Sequence, residues 1–263
     1  MARPIVALLS DFGTRDHYAG VMKGVILGIC PEVTLVDLSH DLPAHDIPFA
    51  AQELAATYRY FPAGTIFLVV VDPGVGTARA AIAFRAHGHA FVGPDNGLFT
   101  ELFGGLEGDV IALDVPAHAA PTFHGRDVFG PAAARLLMGY PPSALGHPLG
   151  RAPLALPQLV PFHDGPVLVG EVIHVDGFGT LVTNIPAVSV PAEALIWYHA
   201  TPIGPMHRTF ADVPTGELLA LEGSGGRLEV AVRDGSAAAR LGAGLGSEVR
   251  VRPPDSPAGA MRG

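Results

Sequence analysis

The chain has 263 residues, 49% of them hydrophobic, and a formal net charge of −9. This length fits one large domain or two smaller ones, each with a buried core. No apolar run approaches the roughly 20 residues that span a bilayer, and the acidic excess, without a Lys/Arg-rich block, argues against a nucleic-acid partner.

The single cysteine and the first apolar run bear on the cellular compartment. Cys30 alone excludes an intrachain disulfide and a cysteine-based zinc site, and its apolar surroundings indicate an inert thiol. The run Ile5–Leu9 is too short for the apolar segment of a signal peptide and leads directly into polar residues. We therefore expect a cytoplasmic protein that does not enter a membrane.

The first 140 residues alternate between strand and helix patterns. The predicted strands are Ile5–Leu9, Val33–Leu38, Thr65–Val71, Ile82–Phe84, Ala90–Val92 and Val110–Leu113. The predicted helices are one from Tyr18 that stops at Pro31, one capped by Asp46, and one over Phe129–Met138. The alternation predicts an α/β N-terminal domain over residues 1–140, with a mostly parallel sheet and flanking helices.

The composition changes after residue 140. Seven prolines fall within residues 141–166, which predicts an ordered linker. The strands predicted beyond it are Val167–Val175, Leu181–Ile185, Leu195–Tyr198, Leu218–Leu221, Leu228–Val232 and Val249–Val251. They predict a smaller all-β C-terminal domain over residues 167–253, a barrel or sandwich, followed by a disordered tail over residues 254–263.

The segment Asp72–Arg79 follows the most apolar predicted strand. A buried strand in an open α/β sheet delivers the next residue to the edge where ligands bind. Asp72 is therefore a carboxylate at a candidate site, the glycine-rich turn after it brings the backbone close, and Arg79 adds a cation. Taken alone, a strand-end Asp is more often a turn cap.

A second polar segment, Ser10–Asp16, lies between the first strand and the first helix. It lacks the glycine spacing of a phosphate loop, and its carboxylates would repel phosphate. Asp11 suits a ribose diol, because a carboxylate accepts two hydroxyl protons, and Asp16 suits an ammonium group. Helix capping by Thr14 or Asp16 explains the same residues equally well.

Two further polar segments follow, Gly93–Gly97 and Phe123–Asp127. The first contains strong turn dipeptides, whereas His124 in the second is a candidate proton handler near neutral pH. Six histidines and aspartates could be imagined as metal ligands, namely His40, Asp41, His45, Asp46, His124 and Asp127. Their spacing fits no structural zinc pattern, so we expect no metal site.

These motifs occur in one order along nearly the whole chain. The set comprises Ser10–Gly13 with Asp16, Asp72–Thr77 with Arg79, Gly93–Gly97, Phe123–Asp127, Val175–Asp176 and Thr183–Ile185. As a set they resemble the S-adenosylmethionine (SAM) hydrolase family, also called SAM hydroxide adenosyltransferases, relatives of the SAM-dependent fluorinase and chlorinase.

The resemblance implies a two-domain enzyme that converts SAM to adenosine and L-methionine by in-line attack of an activated water on C5′, without metal or cofactor. It also implies a homotrimer that holds SAM between one subunit's N-terminal domain and a neighbour's C-terminal domain. The implied catalytic residues are Asp72, Arg79 and His124. The implied substrate-binding residues are Asp11 for ribose, Asp16 for the methionine ammonium, Asp176 and Phe178 on the adenine side, Ser224 for the methionine carboxylate, and Asn96 and Asn184 in the matching motifs.

The sequence differs from the proteins it resembles at two sites, one compared with the fluorinase and one compared with the family's adenine segment. The fluorinase has tyrosine at the position of Asp72 and threonine at that of Val75, and a carboxylate there would repel a halide. Thr180 replaces an asparagine of the adenine segment, so adenine recognition survives if that contact is made by backbone. The alternatives are a SAM- or adenosine-binding sensor without turnover, a SAM-dependent halogenase, and a purely structural α/β unit.

Overall fold

The computed structural model describes residues 4–254 and contains two compact units, one up to Pro157 and one from Gln158. Each unit has its own sheet and its own hydrophobic core, which agrees with the two-domain prediction. The predicted disordered tail, apart from Pro254, lies outside the described residues.

The described part of the first unit contains one seven-stranded sheet with the order β2-β1-β3-β5-β4-β6-β7. The strands are β1 (Ile5–Ser10), β2 (Thr34–Ser39), β3 (Ile66–Val70), β4 (Ala81–Ala86), β5 (His89–Pro94), β6 (Ile111–Leu113) and β7 (Gly146–Pro148). The α-helices are α1 (Tyr18–Ile29), α2 (Ile47–Thr57) and α3 (Gly130–Leu137). Short 3-10 helices cover Tyr58–Tyr60, Thr100–Gly105 and Pro142–Ala144, and a π-helical turn, Gly125–Phe129, directly precedes α3.

The sheet is parallel only in part. Strands β2, β1, β3 and β5 run parallel, whereas β4, β6 and β7 join antiparallel. The reason is the two-residue turn between β4 and β5, in which His87 and Gly88 both have positive φ, 52° and 76°. Such a turn connects antiparallel strands. The prediction of a mostly parallel sheet is therefore wrong for the half of the sheet that contains β4, β6 and β7.

The central strands are buried on both faces, which explains their continuous apolar sequence. Along β1, Val6 and Leu8 face the core formed with α1 and α3, while Ala7 and Leu9 face the core formed with α2. The predicted cap of α2 is confirmed, since the Asp46 side chain accepts a hydrogen bond from the Phe49 amide.

Three neighbouring strands end at the same edge of this sheet. Ser10 is in register with Val70 of β3, and Leu9 with Ser39 of β2. Asp11, His40 and Asp72 therefore all follow the carboxyl ends of adjacent parallel strands, where open α/β sheets bind ligands.

The described part of the second unit contains a nine-stranded antiparallel-rich sheet and one short helix. The strands are β8 (Phe162–Asp164), β9 (Val167–Val175), β10 (Leu181–Pro186), β11 (Leu195–Tyr198), β12 (Thr201–Gly204), β13 (Met206–His207), β14 (Leu218–Glu222), β15 (Arg227–Val232) and β16 (Glu248–Arg252). The helix is α4 (Ala237–Leu241), and 3-10 helices cover Ala187–Ser189 and Phe210–Asp212.

The second sheet curls toward a barrel. Its order is β12-β11-β16-β9-β10-β15-β14-β13, with β8 on β9, and β12 near one end lies beside β14 near the other. The predicted hairpin of β9 and β10 is confirmed. The unit also contains helix α4, whose first turn is capped by the Ser236 side chain. The prediction of an all-β domain is therefore wrong in this detail.

The predicted linker over residues 141–166 is divided between the two units. Its first part adds β7 to the first sheet by pairing with β6, and its last part adds β8 to the second sheet by pairing with β9. Proline at a strand end is compatible with edge pairing, which is why proline-rich sequence here forms edge strands instead of a free connection.

Candidate active site

Arg79 is the centre of a buried polar cluster in the first unit. Its Nε donates to Asp72 Oδ1 at 2.9 Å, its Nη2 donates to Asp72 Oδ2, and the same Nη2 lies 2.9 Å from His124 Nδ1. The side chains of Asp72 and Arg79 are 5% and 9% exposed. Such a two-pronged contact fixes the guanidinium in both position and plane, so the structure brings the three predicted catalytic residues together.

The loop that carries Arg79 packs closely against the segment before His124. Gly76 has a φ of 76°, and a Cβ atom there would lie 2.5 Å from the Pro121 carbonyl oxygen. Glycine is therefore required both for the backbone conformation and for the approach of the two segments. This contact fixes the position of the Asp72–Arg79 loop relative to the segment that leads to His124.

A π-helical turn and helix α1 position His124. The turn Gly125–Phe129 starts directly after His124, and π turns are frequent at functional sites. A Cβ atom on Gly125 would lie 2.8 Å from Met22 Sδ, so the turn packs closely on α1 and a larger residue would require the Met22 side chain to shift. Behind it, Asp127 accepts from Arg126 and from the Ala120 amide, and the Arg126 hydrogen bonds hold the pKa of Asp127 at about 2.

The contact with Arg79 determines the protonation of the His124 ring. A guanidinium nitrogen can only donate, so Nδ1 of His124 accepts and the proton of the neutral ring is on Nε2. Burial lowers the pKa of His124 and the Arg79 charge lowers it further, outweighing the opposing charges of Asp72 and Asp127. At neutral pH, His124 is therefore an uncharged ring whose Nε2–H can donate.

One donor of the cluster has no partner. Arg79 Nη1 is buried and makes no hydrogen bond within the described residues, while the guanidinium carbon lies 5.2 Å from the centre of the Phe129 ring. A buried donor without a partner costs free energy unless a water or a ligand atom accepts its hydrogen bond. Nη1 is thus the one nitrogen of the Arg79 guanidinium that its partners within the described residues leave unused.

The predicted ribose residue is held by backbone. Asp11 Oδ2 accepts from the His45 amide at 2.9 Å, and His45 has a φ of 66°, which is uncommon for a residue with a side chain. Non-glycine residues in this region concentrate at functional sites. The predicted ammonium partner, Asp16, is exposed two residues before the start of α1.

Asn96 has a structural contact that the sequence did not indicate. Its amide nitrogen donates to the Val71 carbonyl at 2.9 Å, and its amide oxygen accepts from the Leu98 backbone at 3.3 Å. Val71 directly precedes Asp72, so Asn96 fixes the backbone from which the Asp72 carboxylate projects. A direct contact of Asn96 with substrate stays a prediction.

In the second unit, the Asp176 side chain orders its own loop. Asp176 Oδ1 accepts from the amides of Phe178 and Thr180 at 2.9 and 2.8 Å, and the Phe178 ring is 84% exposed. Thr180 thus uses its backbone in this contact. Burial raises the pKa of nearby Glu229, with the charge of Asp176 adding to the effect.

Ser224 and Asn184 line separate cavities of the second unit. Ser224 is exposed beside Arg208 and Glu222 at a cavity of about 490 Å³. Asn184 is buried at another of about 340 Å³, where its side chain accepts from the Glu171 amide and donates to the Leu159 carbonyl. The amide of Asn184 therefore ties backbone segments together, and its predicted substrate contact remains a prediction.

Sequence reasoning missed an aromatic cluster in the first unit, next to Asp11 and His124. Phe12, Tyr18 and Phe123 pack with ring centres 5.2 to 5.9 Å apart. Phe12 follows Asp11 directly and Phe123 precedes His124, so the signal was an aromatic next to each polar motif. The cluster gives this edge an apolar surface adjoining the Asp11 and His124 segments.

The described residues lack two features, a metal-binding cluster and a membrane-spanning helix. In residues 4–254, no group of three or more His, Cys, Asp or Glu side chains is arranged to hold a metal ion. Over the same residues, no helix is both long and apolar enough to cross a bilayer.

The Gly76 contact gives a stability prediction. Replacing Gly76 with alanine should destabilise the protein by about 1–3 kcal/mol, because the left-handed backbone and the approach to Pro121 both resist a Cβ. Gly64→Ala is the matched control, since Gly64 has a φ of 86° and open space around it. Urea unfolding of both variants measures the difference; equal losses would contradict the close contact.

Comparisons with known proteins match each of the two units to a domain of one family. Residues 6–146 match the family model described as SAM hydroxide adenosyltransferase N-terminal domain, and residues 170–250 match the model of the C-terminal domain. A Thermus thermophilus protein named (R)-S-adenosyl-L-methionine hydrolase is 41% identical, covering 95% of this chain and 99% of its own. A fluorinase from an Actinoplanes species is 32% identical over 69% of this chain and 72% of its own.

A solved structure has the same fold. The crystal structure of an uncharacterized conserved protein from Thermotoga maritima superposes with a TM-score of 0.87 at 34% identity, covering 94% of this chain and all of the other. With the family models matching most of both units, the chain belongs to the SAM hydroxide adenosyltransferase family.

Proposed function

We propose that this protein hydrolyses SAM to adenosine and L-methionine, and that its preferred substrate is the epimer with R configuration at sulfur. The observation that carries the proposal is the Arg79 cluster, in which Nη2 contacts both the Asp72 carboxylate and the neutral His124 ring. Relatives that are 36–41% identical over nearly their whole length are named (R)-S-adenosyl-L-methionine hydrolase.

The sulfonium of SAM is itself a good leaving group, so the protein has to position a water and exclude competing solvent. Water attacks C5′ in line with the C5′–S bond, the C–O bond forms as the C–S bond breaks, and the electron pair leaves with methionine sulfur. Positioning of this kind supplies a large share of the rate enhancement in displacement reactions. No metal or cofactor takes part in the proposed reaction.

Three side chains divide the handling of this water. Arg79 holds Asp72 and His124 in place, and its positive charge stabilises the negative charge that develops on the water oxygen. The Nε2–H of His124 is the donor to this oxygen, because Nδ1 is already committed to Arg79. Asp72 keeps lone pairs beyond its two contacts with Arg79, so in this arrangement Asp72 takes the proton.

The remaining residues bind the rest of SAM. Asp11 accepts the ribose hydroxyls and Asp16 the methionine ammonium, while Asp176, Phe178 and Ser224 contact the adenine and carboxylate ends. Asn96 and Asn184 support these segments. Because the catalytic residues belong to the first unit and Ser224 to the second, we include in the proposal a homotrimer with sites at subunit interfaces, located in the cytoplasm; native mass spectrometry tests the trimer.

The test of the function is incubation with each SAM epimer separately, followed by chromatography. We expect equal amounts of adenosine and methionine, formed faster from the R epimer. SAM that binds but stays intact would favour a sensor without turnover, and a protein that binds neither epimer would contradict the proposal.

Halide should not replace water as the nucleophile. The Asp72 carboxylate occupies the region that the halide would enter, and two anions repel strongly at low dielectric. With 100-fold or greater excess of chloride or fluoride over SAM, on the order of millimolar to molar salt, we expect no halogenated adenosine above background. Mass detection of 5′-halo-adenosine would overturn the assignment of the nucleophile.

A further inference from the structure

A chain of hydrogen bonds that the proposed reaction does not use lies beside Asp11. Ser10 Oγ is 2.7 Å from His40 Nδ1, and His40 Nε2 is 3.0 Å from Asp37 Oδ1. Lys23 Nζ donates to the other oxygen of Asp37 at 2.6 Å. Ser10 is fully buried and His40 is 5% exposed, so the inner half of this chain is sealed from solvent.

The protons in this chain have a defined direction. An ionised carboxylate only accepts, so Nε2 of His40 donates to Asp37. In the neutral ring, Nδ1 then accepts the hydroxyl proton of Ser10. Although burial alone raises the pKa of Asp37, the hydrogen bonds from Lys23 and His40 lower it more, so the carboxylate is ionised at neutral pH.

The set of serine, histidine and aspartate resembles the constellation of acyl-transfer enzymes in its residue types. Ser10 Oγ, however, belongs to a residue with 0% exposure at the end of the central strand β1. A substrate carbon cannot reach it there. We therefore assign the hydrogen-bonded set of Ser10, His40 and Asp37 to orienting the neighbouring loops, and not to attack on a substrate.

The neighbouring loops are the two that hold Asp11. The Gly13 amide donates to the His40 carbonyl at 2.7 Å, and the His45 amide donates to Asp11 Oδ2 at 2.9 Å. Thr14 Oγ1 donates to Asp41 Oδ1 at 3.3 Å. With Ser10 immediately before Asp11, the ring and carbonyl of His40 fix the loop on both sides of that carboxylate.

We propose that His40 is a positioning residue for Asp11, and that its ring, held between Ser10 and Asp37, presents the Asp11 carboxylate to a vicinal diol such as the ribose of SAM or adenosine. The inference rests on the proposed function for the identity of the ligand. It concerns binding, however, so it can be tested without turnover.

Two amide variants separate the two ring contacts. Asparagine places an amide atom two bonds from Cβ, where Nδ1 lies, and glutamine places one three bonds from Cβ, where Nε2 lies. Loss of one oriented hydrogen bond is worth about 1–1.5 kcal/mol, or roughly tenfold in affinity. We expect His40→Gln, which loses the Ser10 contact, to bind adenosine about tenfold more weakly, and His40→Asn to stay within about threefold of wild type.

Titration calorimetry with adenosine and with 2′,3′-dideoxyadenosine, which has no diol, is the measurement. The His40→Gln loss should vanish with the dideoxy ligand and should also vanish in an Asp11→Asn background, because the two residues act through one contact. If His40→Gln fails to fold, Ser10→Ala removes the same contact. His89→Gln is the control: His89 is equally buried but begins β5, at the opposite edge of the sheet, so adenosine affinity should not change.

The outcomes separate the two proposals. Equal losses for both ligands, additive losses with Asp11→Asn, unchanged affinity, or a wild-type protein that does not bind adenosine would each overturn the role of His40. A wild-type protein that binds adenosine with the predicted pattern but leaves SAM intact would contradict the hydrolase proposal alone.

Discussion

Replacing Arg79 with methionine should lower kcat for SAM hydrolysis by roughly 10²–10³-fold or more, because removing one group that stabilises a developing oxyanion has that effect in other enzymes. Methionine keeps much of the side-chain volume and removes all contacts with Asp72 and His124. The measurement is steady-state kinetics with the R epimer of SAM, with KM determined alongside kcat. Arg79→Lys keeps the charge but not the forked geometry, so it should also lose most of its turnover.

The loss of stability in these variants needs its own control, since Arg79→Met leaves the buried Asp72 carboxylate without its cation. Arg151 pairs with Asp95, which is 1% exposed, at 2.6 Å. Arg151→Met therefore removes the cation of a buried carboxylate that is not one of the hydrogen-bond partners of Arg79 and that still accepts from the Leu154 amide at 2.8 Å, and its kcat should stay within about threefold of wild type. Equal losses of kcat in the two variants would mean that Arg79 acts only through folding.

Replacing His124 should have the second largest effect, a loss of about 10²–10⁴-fold in kcat for His124→Phe. Phenylalanine removes both the acceptor for Arg79 and the Nε2–H donor while retaining a ring. His124→Asn keeps an acceptor at the place of Nδ1 and should hold Arg79 in position, yet it lacks the Nε2–H donor. We therefore expect an intermediate loss for asparagine; equal losses for both variants would contradict the separate tasks of the two ring nitrogens.

The pH profile of the wild type gives a second readout for His124. The active ring is neutral, because a protonated Nδ1 cannot accept from Arg79. Since burial and Arg79 lower the pKa of His124 below its ordinary 6.5, kcat should be constant through neutral pH and fall only on the acid side of 6.5. The limb should be absent from His124→Asn. A fall in kcat that begins above pH 7 would mean that another group controls the reaction.

Much of the site followed from one feature of the sequence, polar residues directly after apolar strands. That pattern predicted Asp72 at the carboxyl end of β3, and parallel pairing with β1 brings Asp11 to the same edge. The contact of Arg79 with His124 spans 45 residues. It depends on the packing of Gly76 on Pro121 and of Gly125 on Met22, which no local pattern encodes.

Other residues were ambiguous because their partners are distant in sequence. No local signal indicated that the His40 ring bonds to the buried Ser10, or that the backbone amide of the exposed His45 bonds to Asp11. The antiparallel turn at His87 and Gly88 carries only a weak turn signal, since His-Gly is not one of the dipeptides strongly preferred in such turns. Asn96 and Asn184 were assigned to substrate by resemblance, but backbone groups occupy their amides.

Hydrolysis of the R epimer of SAM in H₂¹⁸O, without halide, tests the central claim most directly. If water held by Arg79, His124 and Asp72 attacks C5′, the adenosine formed should carry one ¹⁸O in its 5′-hydroxyl, and the methionine should carry none. Label in methionine, unlabelled adenosine, or a product other than adenosine would contradict attack of water at C5′.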